Sequence, residues 1–199
     1  MSDTYETLPL LRKGWGRRKM SEEQVRLATP LVAKGIEFRG FPTPDVNTAQ
    51  VAAFNAAHIA GPTTGGNLQG VAALDPEGDV IGAVTLEPAL VTMPHDPADQ
   101  LLLAHIRYVA VAPQWRRQGI ATVLLCIMDQ QGIPETVTRR LFLGGCAPTE
   151  ARFYQRAGFD VLQPGAVIPP ELLGAEEGFV NTNADYPCWF LRTWSPQHA

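Results

Sequence analysis

A chain of 199 residues, 45 % of them hydrophobic and 18 % charged, is long enough to bury one sizeable core and short for two. Its net charge of -4 argues against a nucleic-acid partner, because phosphate contacts need a basic surface, and no apolar run approaches the length of a membrane span. Cys126, Cys146 and Cys188 are odd in number and widely spaced, which fits neither a disulfide framework nor a zinc site; reduced thiols and no metal are expected.

Residues 1–33 read as an N-terminal extension broken by Gly14, Gly16 and Pro30, with a short helix expected after the Ser21-Glu-Glu-Gln24 capping box. The basic residues Arg12, Lys13, Arg17, Arg18 and Lys19 precede no apolar stretch of the kind a secretory signal needs, so a solvated tail and a cytoplasmic location are expected. A strand over 35–41 leads through Pro42 and Pro44 to a helix over 47–60, stopped by Gly61 and Pro62. Strands over 70–74 and 80–91 flank Asp75-Pro-Glu-Gly-Asp79, whose turn chemistry suits an antiparallel hairpin. A proline-bearing loop over 93–100 precedes the long apolar strand 101–112. From Ile120 the apolar period lengthens: Ile120, Val123, Leu124, Ile127 and Met128 share one face of a helix ending near Gly132 and Pro134. A strand over 140–146, a helix over 149–157 stopped by Gly158 and a strand over 159–162 follow. The long connection 163–184, punctuated by Pro and Gly, reads as a lid or substrate wall before a last strand at 188–194. This order gives a mixed α/β sheet with helices on its faces, in one domain over 34–199.

Residues 105–121 run a strand pattern straight into a helix start. A helix N-terminus offers unpaired N–H groups and a positive dipole end, so it binds phosphate where side chains allow close approach. Gly119 has no side chain and Ala121 only a methyl, so the amides of residues 117–121 are open to a diphosphate, and Arg116 and Arg117 add charge-assisted donors. The same residues also suit an ordinary helix start with a solvated basic pair. A phosphate loop of the Gly-Lys-Ser/Thr type and the three-glycine dinucleotide fingerprint are both absent.

Val109-Ala-Val111-Ala-Pro113 followed by Arg116-Arg-Gln-Gly119-Ile-Ala121 resembles the cofactor motif of the Gcn5-related N-acetyltransferase (GNAT) family. Phe153-Tyr154-Gln-Arg-Ala-Gly158-Phe159 is similar to a second signature of that family, in the right order and at the right separation. The resemblance covers about 35–194 and implies a mostly antiparallel sheet splayed at its fourth strand, with helices on both faces. It implies acyl transfer from acetyl-CoA to an amine by direct attack, without a metal. In that reading the amides of Arg117, Gln118, Gly119, Ile120 and Ala121 hold the pyrophosphate with Arg116 alongside, and the backbone of Val109, Ala110 and Val111 pairs with the pantetheine arm. Tyr154 takes the family's general-acid role, protonating the departing thiolate. His105, on a strand and titrating near neutral pH, is the proposed base; Glu87, His58 and the acids Glu171, Glu176 and Glu177 are weaker candidates. Where many members carry an asparagine bonding pantetheine, this chain has Ala147, and Cys146 reads as a buried strand residue before a nucleophile. The acceptor implied is an amine of a small molecule or peptide, and the acids Glu171, Glu176, Glu177 and Asp185 suit a cationic one. Neither nucleic acid nor membrane is expected as partner, and a homodimer is one assembly left open. A pocket that binds acyl-CoA without turnover, as a sensor or regulatory domain, is the main alternative; an interaction protein whose 116–121 turn binds nothing is the second.

Overall fold

The computed structural model describes residues 22–59, 69–93, 96–129 and 137–194. Its elements in chain order are α1 Glu22–Ala33, β1 Glu37–Phe41, α2 Thr48–His58, β2 Gln69–Leu74, β3 Val80–Met93, β4 Asp96–Val111, α3 Ile120–Asp129, β5 Arg139–Cys146, α4 Ala151–Arg156, β6 Asp160–Leu162, β7 Val167–Ile168, α5 Pro170–Leu173, β8 Phe179–Val180 and β9 Cys188–Trp194. The sheet order is β1-β2-β3-β4-β5-β9-β6, with β4 and β5 parallel, while β1–β2, β2–β3, β5–β9 and β6–β9 are antiparallel. A mixed α/β sheet is what the sequence pattern implies. The chain divides into two compact units, residues 1–87 with 107–133 and residues 88–106 with 134–199.

In the first unit, α2 starts where its sequence says it should. Asn47 accepts the Gln50 N–H and the Gln50 side chain accepts the Asn47 N–H, both at 2.9 Å, a reciprocal cap that contributes about 1 kcal/mol. Val51 and Phe54 on this helix pack with Phe41, Ala72, Leu74, Ala83, Ala110 and Ala112 in one apolar cluster. Helix α3 covers the opposite side of β3, because a Cβ at Gly82 would stand 3.1 Å from Ile120 and 3.3 Å from Leu124. Gly82 and Ala83 are neighbours on a strand, so they point to opposite faces, and this unit's strands are covered on both.

In the second unit, β9 pairs with β5 over its full length, from Arg140↔Trp194 to Cys146↔Cys188. One face carries Leu141, Leu143, Trp189 and Leu191, which pack with Leu101, Met93 and Ile168. The other carries Phe190 beneath α4. The parallel register of β4 with β5 runs from Leu101↔Arg139 to His105↔Leu143 and goes no further among the described residues.

Two boundaries differ from the sequence reading. Residues 96–100 are the first turnless part of β4, not loop: the Asp99 carboxylate accepts from Arg139 Nε at 3.1 Å, and Gln100 N–H donates to Thr138 Oγ1 at 3.0 Å, which anchors this polar stretch where periodicity gives no signal. The connection 163–184 contains β7, α5 and β8, with Val167↔Val180 and Ile168↔Phe179 in antiparallel register. The residues proposed to stop the helices at 61–62 and 132–134, and Ser21 of the capping box before α1, lie outside the described residues.

Candidate functional site

Strand β4 delivers its last residues into a tight turn of the first unit. Ala110 and Ala112 are buried in the α2 cluster, whereas Val109 and Val111 are half-buried and Arg107 is exposed. Ala112 N–H reaches the Ile81 carbonyl at 2.9 Å, and Pro113–Trp115 form a single 3-10 turn. The backbone then turns left-handed at Arg117 (φ 61) and again at Gly119 (φ 90). Glycine accepts that conformation freely, while an arginine there costs roughly 1–2 kcal/mol. A turn built this way aims backbone N–H groups to a common side, the construction of anion-binding nests.

Gly119 is the N-cap of α3, since its carbonyl accepts the Val123 N–H at 3.0 Å. The amides of Ile120, Ala121 and Thr122 are therefore the first-turn donors without a partner inside the helix, and the positive dipole end lies beside them. No side chain at position 119 can cap them, which leaves the place to an external anion or water. Arg116 is partly committed: its Nε donates to the Val111 carbonyl at 2.9 Å. That bond satisfies the last acceptor of β4, so backbone pairing with a ligand falls to the remaining groups of Val109 to Val111. Gln118 is tied as well, its Nε2 to the Gln114 carbonyl at 3.4 Å and its Oε1 to Lys34 Nζ at 3.1 Å.

In the second unit, α4 begins after Glu150, whose carboxylate accepts the Ala147 N–H at 3.0 Å. The Tyr154 ring lies flat on Phe190 at 3.7 Å with an interplanar angle of 8°, and Phe153 and Phe159 meet it edge-on at 4.9 and 6.1 Å. Burial, and then the carboxylate of Glu150, hold the Tyr154 phenol above the ordinary tyrosine range. The group stays protonated across the physiological range, so it can donate a proton and cannot act as a base. Its position rests on Gly144: Phe190 is opposite that residue in the β5–β9 register, and a Cβ there would overlap the Phe190 ring. Nothing in the sequence marks Gly144 as part of a site.

Residues 68–161, from the edge of β2 into β6, match the family model described as an acetyltransferase (GNAT) domain. Over those residues the chain is similar to a GNAT domain. No curated protein matches the sequence. Among solved structures, Arabidopsis thaliana NAA60 in complex with acetyl-CoA is 18 % identical with a TM-score of 0.51, covering 80 % of this chain and 99 % of that one. The GNAT family N-acetyltransferase YhbS from Escherichia coli in complex with CoA is 16 % identical with a TM-score of 0.50, covering 79 % of this chain and 81 % of that one. At these identities the likeness is one of fold, and the mixed sheet with its parallel β4–β5 pair agrees with it.

The structure does not gather every residue that the sequence singles out. His105 is half-buried and abreast of Leu143, on the face of the Leu141–Leu191 cluster, whereas Tyr154 sits on Phe190 on the other face of the same strands. Glu87 is held by Arg107 at 3.4 Å, with both side chains largely exposed. His58 ends α2 with its ring 4.6 Å from that of Phe54. Cys146 is fully buried opposite Cys188, and burial pushes its thiol up to about 12, so the thiolate that nucleophilic attack needs is not formed near neutral pH. Among the described residues no group of three or more His, Cys, Asp or Glu could hold a metal ion.

The connection after β6 is pinned to the second unit. Ile168 is buried in the core, α5 ends at the left-handed Gly174 beside Met93, and Arg139 NH1 donates to the Glu171 carbonyl at 3.4 Å. Its surface mixes exposed acids, Glu171, Glu176, Glu177 and Asp185, with exposed Val167, Phe179 and Val180. No described helix is long and apolar enough to cross a membrane.

Proposed function

We propose that this protein is an acetyl-CoA-dependent N-acetyltransferase acting by direct attack on an amine of a small molecule or peptide. The observation that carries the reading is the 116–121 turn. Left-handed backbone at Arg117 and Gly119 opens the uncapped head of α3, within the stretch that matches the family model. The amides of residues 117–121 take the diphosphate, and the guanidinium of Arg117 is exposed beside them.

Acetyl-CoA, when bound, supplies a thioester whose carbonyl carbon forms the new bond to the amine nitrogen as the bond to sulfur breaks. Tyr154 gives its phenolic proton to the departing sulfur; the phenol is protonated at neutral pH, and burial makes it a weaker acid than a free tyrosine. The proton lost by the amine goes to His105 or, for an amine already neutral, to water. The acids of the 163–185 wall favour a cationic acceptor by charge complementarity.

A thiol-release assay with acetyl-CoA and a panel of primary amines tests this. Saturable release that depends on acceptor supports an enzyme; acetyl-CoA binding without acceptor-dependent release selects the sensor reading. His105→Gln is expected to remove the acid limb of the kcat/KM profile, and an unchanged limb takes His105 out of the reaction.

A further inference from the structure

Helix α1 and the residue after it lie outside the stretch that matches the family model, and the sequence assigns residues 1–33 no role. In the first unit this helix meets the 116–119 turn. Leu27 Cδ2 stands 3.2 Å from the place a Cβ of Gly119 would occupy, with Leu27 Cβ and Cγ at 3.6 and 3.8 Å. The helix then ends in a paired turn: Gly35 N–H reaches the Val32 carbonyl at 2.9 Å and Ile36 N–H the Leu31 carbonyl at 3.1 Å, with Gly35 left-handed at φ 82. Leu31 and Ile36, 2 % and 1 % exposed, bury the apolar contact that accompanies such a cap. Lys34 is thereby held at the C-cap, and its Nζ donates to Gln118 Oε1 at 3.1 Å. The Gln118 amide nitrogen is directed to the Gln114 carbonyl, so its oxygen is left to face the ammonium. An ammonium has three N–H donors, and one bond to Gln118 leaves two for an anion at the same turn.

We propose that Lys34 is a ligand of the coenzyme A diphosphate, so that α1 completes the acyl-CoA site. The inference rests on the reading of residues 116–121 as the diphosphate cradle. It adds a cation where Arg116 has already spent its Nε on the strand, and it gives the N-terminal helix a function: Leu27 backs the turn and the cap aims Lys34 at it.

Calorimetric titration of the full chain with coenzyme A and with 3′-dephospho-coenzyme A, each at low and high salt, tests the proposal. Lys34→Gln is expected to raise the Kd for both ligands about 3- to 10-fold and to flatten the salt dependence, while Lys34→Arg restores most of the affinity. Because Lys34 is exposed, the melting temperature without ligand stays at the wild-type value. If the wild type binds coenzyme A and Lys34→Gln binds it with the same Kd and salt dependence, the proposal is overturned and the cradle stands. An effect confined to coenzyme A, and absent with the dephospho form, reassigns Lys34 to the 3′-phosphate and overturns the diphosphate assignment. A wild type that binds neither ligand removes cradle and proposal together.

Discussion

Arg117 is the only non-glycine among the described residues with a left-handed backbone, and it sits in the turn that the proposed chemistry needs open. Keeping a strained arginine where glycine fits better makes sense if its guanidinium contacts the ligand. Arg117→Gly is therefore expected to leave the melting temperature near that of the wild type, since it relieves the backbone, while raising the Kd for coenzyme A severalfold. A calorimetric titration beside a thermal melt separates the two effects. Gly119 is a poorer probe, because any side chain there is strained at φ 90 and meets Leu27, so loss of binding in Gly119→Glu has two causes. At Tyr154 the expected result is a split: Tyr154→Phe lowers kcat by about 10²-fold or more and leaves the Kd for acetyl-CoA unchanged, because the stack on Phe190 needs only the ring. Equal turnover by the variant across pH removes the phenol from the reaction. Gly144→Val, at a position outside both sequence signatures, is expected to cost about 1–3 kcal/mol through overpacking and to lower turnover by displacing Phe190 and with it Tyr154.

At the scale of elements, apolar period and turn chemistry locate β1, α2, the β2–β3 hairpin, α3, β5 and β9 to within a few residues. Those signals are local, and the caps at Asn47 and Gly158 are in the sequence itself. The start of β4 is not legible, because Asp96 to Gln100 is polar and proline-bearing and is held by partners about forty residues later. The Asp99 carboxylate accepts from Thr138 and Arg139, and these bonds hold it below the ordinary carboxylate range. A carboxylate with a depressed folded pKa stabilises the fold above its unfolded value of 3.8 and loses that contribution as the pH falls through the depressed one. Asp99→Asn is thus expected to lower the melting temperature at pH 7, with the curves of wild type and variant converging below pH 3.8; a constant difference down to acid pH would show that the ion pair is not the cause. The role of α1 is equally hidden, since a Leu in a short helix and a Lys just past its end carry no signature until the 116–119 turn is seen beside them.

At the scale of the whole molecule, the two sequence signatures mark the segments to which the chemistry is proposed to belong, and the structure gives each a physical basis within its own unit. The first unit presents amides and cations at the head of α3; the second presents a buried, protonated phenol on an aromatic stack. The base and acceptor are the least legible in sequence, because they depend on which exposed groups of the 163–185 wall and of β4 meet a ligand that varies among members of a fold. The most direct test of the central claim is a crystal structure of the protein with coenzyme A. The expected result is the diphosphate bonded to backbone amides of residues 117–121. A diphosphate bound elsewhere, with the 117–121 amides open to solvent, would contradict the account.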